Sequence, residues 1–75
     1  MPVKNSLRRF RFEAGEITQQ ELADKAGVTR QTIVAIERGN YNPSVELALR
    51  LAGLLGTTVE RLFQLDQPST KGTRK

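Results

Sequence analysis

Arg30 and Gln31 are adjacent polar residues, and each of their side chains can make two hydrogen bonds to one flat partner. A guanidinium donates to O6 and N7 of guanine, and a carboxamide pairs with N6 and N7 of adenine. Arg and Gln are also common on solvated helix surfaces. What this pair can do is therefore decided by the elements on either side of it.

The residue types that are absent exclude most catalytic chemistry. The 75 residues include no cysteine and no histidine, which rules out disulfides, thiolate or imidazole metal sites and histidine-dependent catalytic triads. The sequence has neither a glycine-rich phosphate loop nor a cluster of carboxylates. We expect a protein that is not an enzyme and that uses no metal and no cofactor.

Hydropathy and composition also predict a location. No apolar run approaches the roughly 20 residues that a membrane span needs, and the N-terminus lacks the apolar segment of a signal peptide. The absence of cysteine fits a reducing compartment. We therefore expect a cytoplasmic protein with no membrane contact.

The net charge of +4 indicates a polyanionic partner only weakly, because the excess is unevenly distributed. Residues 1–66 carry nine basic and eight acidic side chains, whereas residues 67–75 carry three basic side chains and no acidic one. The second segment is rich in Pro, Ser, Gly and charge, which predicts a disordered basic tail after a single folded domain of residues 1–66. A case for nucleic acid must therefore rest on the arrangement of side chains.

Apolar periodicity predicts five helices and no strand, which is an all-α fold. The first helix spans about residues 5–14, with Leu7, Phe10 and Ala14 on its inward face and Asn5 or Ser6 as its cap. The predicted caps of the other four helices are Thr18, Thr29, Ser44, and Thr57 or Thr58. The fourth helix is the most apolar, so we expect it to be central.

The second and third helices are joined by only three residues, Gly27, Val28 and Thr29. A three- to four-residue turn between helices that cross steeply is typical of a helix-turn-helix unit. The crossing needs a small residue at the contact, which Ala23 supplies, and a turn residue that accepts positive φ, which Gly27 supplies. Ile33 can face the preceding helix. The spacing therefore places Arg30 and Gln31 at the start of the second helix of the unit.

The run TQQELADKAGVTRQTIVAIERGNYNPSVELALRLAGLLGTTVERLF resembles the helix-turn-helix domain of the Cro and phage-repressor type, the Xre family. The resemblance extends from Asn5 to about Leu65. It implies a compact, lambda-repressor-like five-helix domain whose third helix enters the DNA major groove, and homodimers on palindromic operators. Compared with the family pattern, the sequence has one extra residue, Glu16. This insertion should change the loop before Thr18 and leave the motif intact.

The resemblance implies a role for individual positions. The expected base-contacting residues are Thr29, Arg30, Gln31 and Val34. The expected phosphate-contacting residues are Gln19, Thr32, Arg38, Asn40, Tyr41 and Asn42. Arg11 and Glu37 match a helix-one/helix-three ion pair of the family.

Other positions admit two interpretations. Val34 is suited to contact with a thymine methyl or to partial burial, and Tyr41 to packing or to a phosphate contact. Arg8 and Arg9 form a solvated face or contact phosphates. Phe12 packs locally or belongs to a subunit interface. The apolar residues of the C-terminal region, Leu54, Val59, Leu62, Phe63 and Leu65, favour a dimer contact through helix five.

We predict a sequence-specific, DNA-binding transcriptional regulator that acts as a repressor. Its expected partners are double-stranded DNA and a second copy of the chain. The alternative is an antitoxin or restriction-modification controller that also binds a partner protein.

Overall fold

The computed structural model describes residues 3–65. Their elements, in chain order, are β1 (Val3–Asn5), α1 (Leu7–Glu13), α2 (Gln19–Ala26), α3 (Arg30–Glu37), α4 (Val45–Leu54), α5 (Val59–Leu62) and β2 (Phe63–Leu65). The five expected helices are present. The predicted basic tail of residues 67–75 lies outside the described residues.

The expectation of a purely helical fold is wrong, because β1 and β2 form a two-stranded antiparallel sheet. Val3 lies opposite Leu65, and Asn5 lies opposite Phe63. The Ser6 amide extends the contact by donating to the Leu62 carbonyl oxygen at 2.9 Å. Each strand has three residues, too few to show an alternating pattern, and the pairing joins the two ends of the described chain. Short-range periodicity therefore could not reveal the sheet.

The core is built from apolar side chains contributed by all five helices. Its buried members are Leu7, Leu22, Ala23, Ala26, Ile33, Ile36, Leu47, Leu51, Ala52, Leu55 and Leu62. The inward stripe expected for helix one is wrong at Ala14, because α1 ends at Glu13 and Ala14 is exposed. α4 supplies four buried residues, as expected of a central helix, but its Val45 and Leu49 are largely exposed.

Side-chain caps define the starts of four helices. Thr18 and Glu21 form a reciprocal capping box at α2. The hydroxyls of Thr29, Ser44 and Thr58 each accept a hydrogen bond from the amide three residues on. α1 differs, because Ser6 makes no side-chain cap and Asn5 Oδ1 accepts from the Leu7 amide at 3.1 Å instead.

The turn between α2 and α3 is held by the backbone and by one long side chain. Gly27 has a φ of 77°, the left-handed conformation that ends α2, and the Val28 amide donates to the Ala23 carbonyl oxygen at 3.0 Å. Arg50 of α4 donates from Nη1 to the Ala26 carbonyl oxygen at 2.9 Å. These contacts set the direction in which α3 leaves the turn.

The loop before α2 contains two consecutive residues in an unusual backbone conformation. Gly15 has a φ of 109° and Glu16 a φ of 56°, both positive. Ile17 then packs against the core, and the capping box at Thr18 is complete. The two positive φ angles therefore do not disturb the start of α2.

Within residues 3–65, no helix is both long enough and apolar enough to cross a bilayer.

Candidate nucleic-acid interface

The two sides of α3 have different environments. Ile33 and Ile36 are fully buried against the rest of the domain. Arg30 and Gln31 are exposed at the N-terminal end of the helix, and Val34 is half-buried. The helix therefore presents donors and one aliphatic side chain to solvent while its inner side is fixed by the core.

A polar depression of about 330 Å³ lies where α1, α2 and α3 meet. It is lined by Arg8, Gln19, Arg30, Val34, Glu37 and Arg38. Four of these residues were predicted to contact DNA, and the fold brings them together from different elements. The half-buried Val34 lines the wall of this depression, so both interpretations of this residue fit its position.

Glu37 connects three elements beneath this depression. Its Oε2 accepts from Arg11 Nε at 2.8 Å, and its Oε1 accepts from Arg11 Nη2 at 3.3 Å and from Gln19 Nε2 at 3.1 Å. Arg11 Nη1 also donates to the Ile17 carbonyl oxygen at 2.8 Å. The Arg11 and Glu37 side chains are only 13% and 10% exposed, and the expected ion pair is confirmed.

Gln19 also belongs to this hydrogen-bond network, which the sequence did not predict. The resemblance assigned its carboxamide to phosphate, whereas the structure shows one of its N–H groups bonded to Glu37. The second N–H and the amide oxygen have no partner among the residues that the structure describes. The bond to Glu37 thus orients a carboxamide at the N-terminus of α2 and leaves donor capacity for a ligand.

Thr29 and Thr32 use their hydroxyls largely within the helix end. Thr29 Oγ1 accepts from the Thr32 amide at 3.2 Å, and the two hydroxyls are 3.0 Å apart. Only one of the two hydroxyl protons is used in this contact. Both residues lie outside the depression, as does the exposed Gln31.

The segment after α3 turns away from the depression. Gly39 has a φ of 80°, and the Asn40 amide donates to the Ala35 carbonyl oxygen at 2.9 Å. Asn40 and Asn42 are exposed, and Tyr41 is 47% exposed. Asn42 borders a separate apolar groove together with Pro43. Of the residues expected to follow the recognition helix, only Arg38 lines the depression.

Arg8 also lines the depression, and the sequence had left open whether it is solvated or contacts a phosphate. Its signal in the sequence is its spacing, since it lies three residues before Arg11 and such pairs share a helix face. Because Arg11 was already expected to contact helix three, the same face of α1 had to point towards α3.

The first turns of α2 and α3 differ in charge. Glu21 lies in the first turn of α2, where hydrogen bonds with the backbone and the hydroxyl of Thr18 lower its pKa. The first turn of α3 contains no acidic residue. The positive end of the α3 dipole is therefore not offset by a carboxylate of its own.

Comparison with known proteins agrees with this architecture. A family model described as helix-turn-helix matches residues 7–62. An uncharacterized HTH-type transcriptional regulator from Methanothermobacter thermautotrophicus is 47% identical over 70 residues, covering 92% of this chain and 100% of that protein. The immunity repressor protein of Bacillus phage phi105 is 37% identical over 62 residues, which cover 83% of this chain and 42% of the repressor.

A solved structure has a similar fold. The restriction-modification controller protein C.AhdI from Aeromonas hydrophila is 33% identical to this chain and superposes with a TM-score of 0.66. The match covers 73% of this chain and 82% of the controller. The chain therefore belongs to the helix-turn-helix family of DNA-binding transcriptional regulators, of the Cro and phage-repressor type.

Proposed function

We propose that this regulator binds a palindromic operator as a homodimer and reads it through α3. The observation that carries the proposal is the grouping of Arg30, Val34 and Arg38 along one outward side of α3, beside Gln19 at the start of α2. Neither Arg30 nor Arg38 forms an ion pair within residues 3–65. Two guanidinium groups without acidic partners on one helix face suit a polyanion with base edges between its phosphates.

Base reading is assigned to the first turns of α3. In helix-turn-helix complexes the N-terminal residues of the second helix contact base edges in the major groove. Arg30 and Gln31 are exposed there and can bond guanine and adenine, respectively. Val34, one turn further on, is placed to contact a thymine methyl. Thr29 is assigned a base contact through its hydroxyl, which also caps α3.

Phosphate binding is assigned to the residues around these. Gln19 has an oriented carboxamide at a helix N-terminus, and Arg38 lies at the other end of α3. Thr32, Asn40, Tyr41 and Asn42 remain proposed phosphate contacts outside the depression. The proposal includes no enzymatic step and no cofactor.

The homodimer is supported by an apolar surface on α4 and the segment that follows it. Val45 and Leu49 of α4 are 77% and 59% exposed, and with the half-buried Val59 and Phe63 they line a groove of about 720 Å³. The sequence had suggested Leu62 as a contact residue, but Leu62 is fully buried inside the domain and cannot face a second copy. A copy seated on α4 would leave α3 free for DNA.

A second candidate is a controller of a restriction-modification operon, which the similarity to C.AhdI favours. The antitoxin alternative requires a partner protein. Both alternatives use the same DNA-binding site. They differ in which genes the protein regulates. A restriction or toxin gene beside the gene for this protein would favour the corresponding alternative.

Selection from a random-sequence duplex library tests the proposal. We expect enrichment of an inverted repeat whose half-sites lie about one helical turn, roughly 10 base pairs, apart. Binding should weaken steeply with added salt. A library without enrichment contradicts sequence-specific reading, and an enriched site without two-fold symmetry contradicts the homodimer.

A further inference from the structure

We propose that Arg8 of α1 contacts a DNA backbone phosphate lying over the depression between α1, α2 and α3. The inference rests on the proposed DNA-binding function and adds a third element, α1, to the interface. The motif itself consists of α2 and α3, and nothing in its spacing requires a contact from α1.

The charges around the depression favour an anion. Arg8, Arg30 and Arg38 border it from α1 and from both ends of α3, and all three are exposed. None of them forms an ion pair within the described residues. The one carboxylate there, Glu37, already accepts three hydrogen bonds. The depression thus combines one neutralised acid with three uncompensated guanidinium groups.

The neighbouring Arg9 shows that this is not a general property of arginines on α1. Arg9 Nε lies 3.3 Å from Glu13 Oε2, and the Arg9 guanidinium stands 5.2 Å from the centre of the Phe10 ring. Arg9 is therefore occupied within α1, whereas Arg8 faces the depression. The two residues are adjacent, equally charged and both exposed, but only one is directed at the proposed interface.

A backbone phosphate is the anion that the surroundings favour. The same depression is bordered by Gln19, whose carboxamide is oriented at the start of α2, and by Arg30, which begins the proposed reading helix. A duplex with α3 in its groove brings its phosphates alongside the N-terminus of α2. A guanidinium matches phosphate oxygens with two parallel hydrogen bonds. Arg8 would then fix α1 against the same strand.

The test compares Arg8→Gln with Arg9→Gln, which remove one positive charge each from adjacent positions. Affinity for a labelled random-sequence duplex and for the selected operator is measured by fluorescence anisotropy over a salt series. Loss of one phosphate contact lowers the slope of log K against log salt by about 0.9, which is about eightfold weaker binding at 0.1 M salt. We expect this loss for Arg8→Gln on both duplexes, and less than half of it for Arg9→Gln.

Arg8→Lys adds a second measurement, because an ammonium keeps a phosphate contact as a point charge. We expect it to keep the wild-type salt slope. Thermal melting of both Arg8 variants should match the wild type, since Arg8 is exposed and has no ion pair within residues 3–65. Arg9→Gln should remain folded and melt slightly lower, because it loses the contacts with Glu13 and Phe10. Equal losses for Arg8→Gln and Arg9→Gln would show that only net charge matters and would overturn the contact. If the wild-type protein itself binds no duplex, the proposed function falls and this inference falls with it.

Discussion

α2 and α3 both begin after a threonine cap, yet only α2 has an acidic residue in its first turn. Thr18 is followed by Glu21, and the two residues close a capping box in which each side chain bonds the other's backbone amide. In α3 the third residue after the cap Thr29 is Thr32. Its amide donates to the Thr29 hydroxyl, and its own hydroxyl contacts only that same hydroxyl. The helix that is proposed to read DNA therefore lacks the carboxylate that its neighbour has.

The difference indicates that local stability and polyanion binding make opposite demands on a helix N-terminus. A carboxylate in the first turn offsets the helix dipole and satisfies amide groups, which stabilises the helix. The same carboxylate would repel phosphates that approach this end of the helix. The N-terminus of α2 is also a proposed phosphate site, but there Gln19 lines the depression while Glu21 lies outside it. α3 instead begins at the depression with Arg30.

Thr32→Glu transfers the α2 arrangement to α3 and has the largest expected effect. The new carboxylate can reach back to the Thr29 amide, which should raise the free energy of unfolding by about 0.5–1 kcal/mol. It also places a negative charge beside the DNA, and we expect binding to every duplex to weaken by about 3 kcal/mol. Denaturant unfolding and anisotropy titration measure the two changes on the same sample.

Thr32→Gln is the matched control, because glutamine also completes a capping box but carries no charge. It should keep DNA binding within about 1 kcal/mol of the wild type, a loss no larger than one ordinary neutral hydrogen bond. If Thr32→Glu and Thr32→Gln bind DNA equally well, the absence of an acid from the first turn of α3 has no electrostatic role.

Arg30→Ala tests what α3 gains by beginning with a basic residue. Loss of a bidentate contact to a base should weaken binding to the selected operator by about 2 kcal/mol and relax the preference at one base position. Random-sequence duplex should lose less. Lys25→Ala, an equal change of charge on α2 outside the depression, is the control. An identical loss on operator and random duplex would assign Arg30 to phosphate and not to a base.

Glu21→Gln tests the contribution of the carboxylate to the stability of α2 and has the smallest expected effect. Hydrogen bonds with Thr18 hold the pKa of Glu21 below its ordinary value of 4.5. The stabilisation is therefore complete above that value and is lost as the pH falls through the lower, folded-state pKa. The wild type should melt above the variant at neutral pH, and the difference should shrink in acid. A difference that does not change with pH contradicts a role for the charge.

Helix starts and the turn between α2 and α3 could be predicted because their causes are local. A threonine or serine hydroxyl bonds an amide three residues on, and a glycine accepts positive φ, whatever the distant chain does. Thr18, Gly27, Thr29 and Ser44 act in this way. The sheet could not be predicted, because three residues at one end pair with three at the other and only the folded helices bring them together.

The residues of the candidate site also differ in whether local sequence could predict them. Arg30, Gln31 and Val34 follow from the position of α3 in the motif. The bond from Gln19 to Glu37 and the approach of Arg8 depend on how α1 packs across α2 and α3. The adjacent positions Arg8 and Arg9 are equivalent by charge and residue type, and the sequence separates them only through the spacing of Arg8 from Arg11. The ion pair of Arg9 with Glu13 and the position of Arg8 at the depression require the tertiary structure.

The pairing of β1 with β2 makes the described chain almost circular. Since Val3 and Leu65 are opposite each other in the sheet, a short linker could join the two ends without displacing a helix. New termini could then open in the exposed loop at Gly15 and Glu16, where the backbone already departs from regular structure. The fold therefore does not depend on where the chain starts and ends. A circular permutant would keep α2, the turn and α3 as one uninterrupted segment.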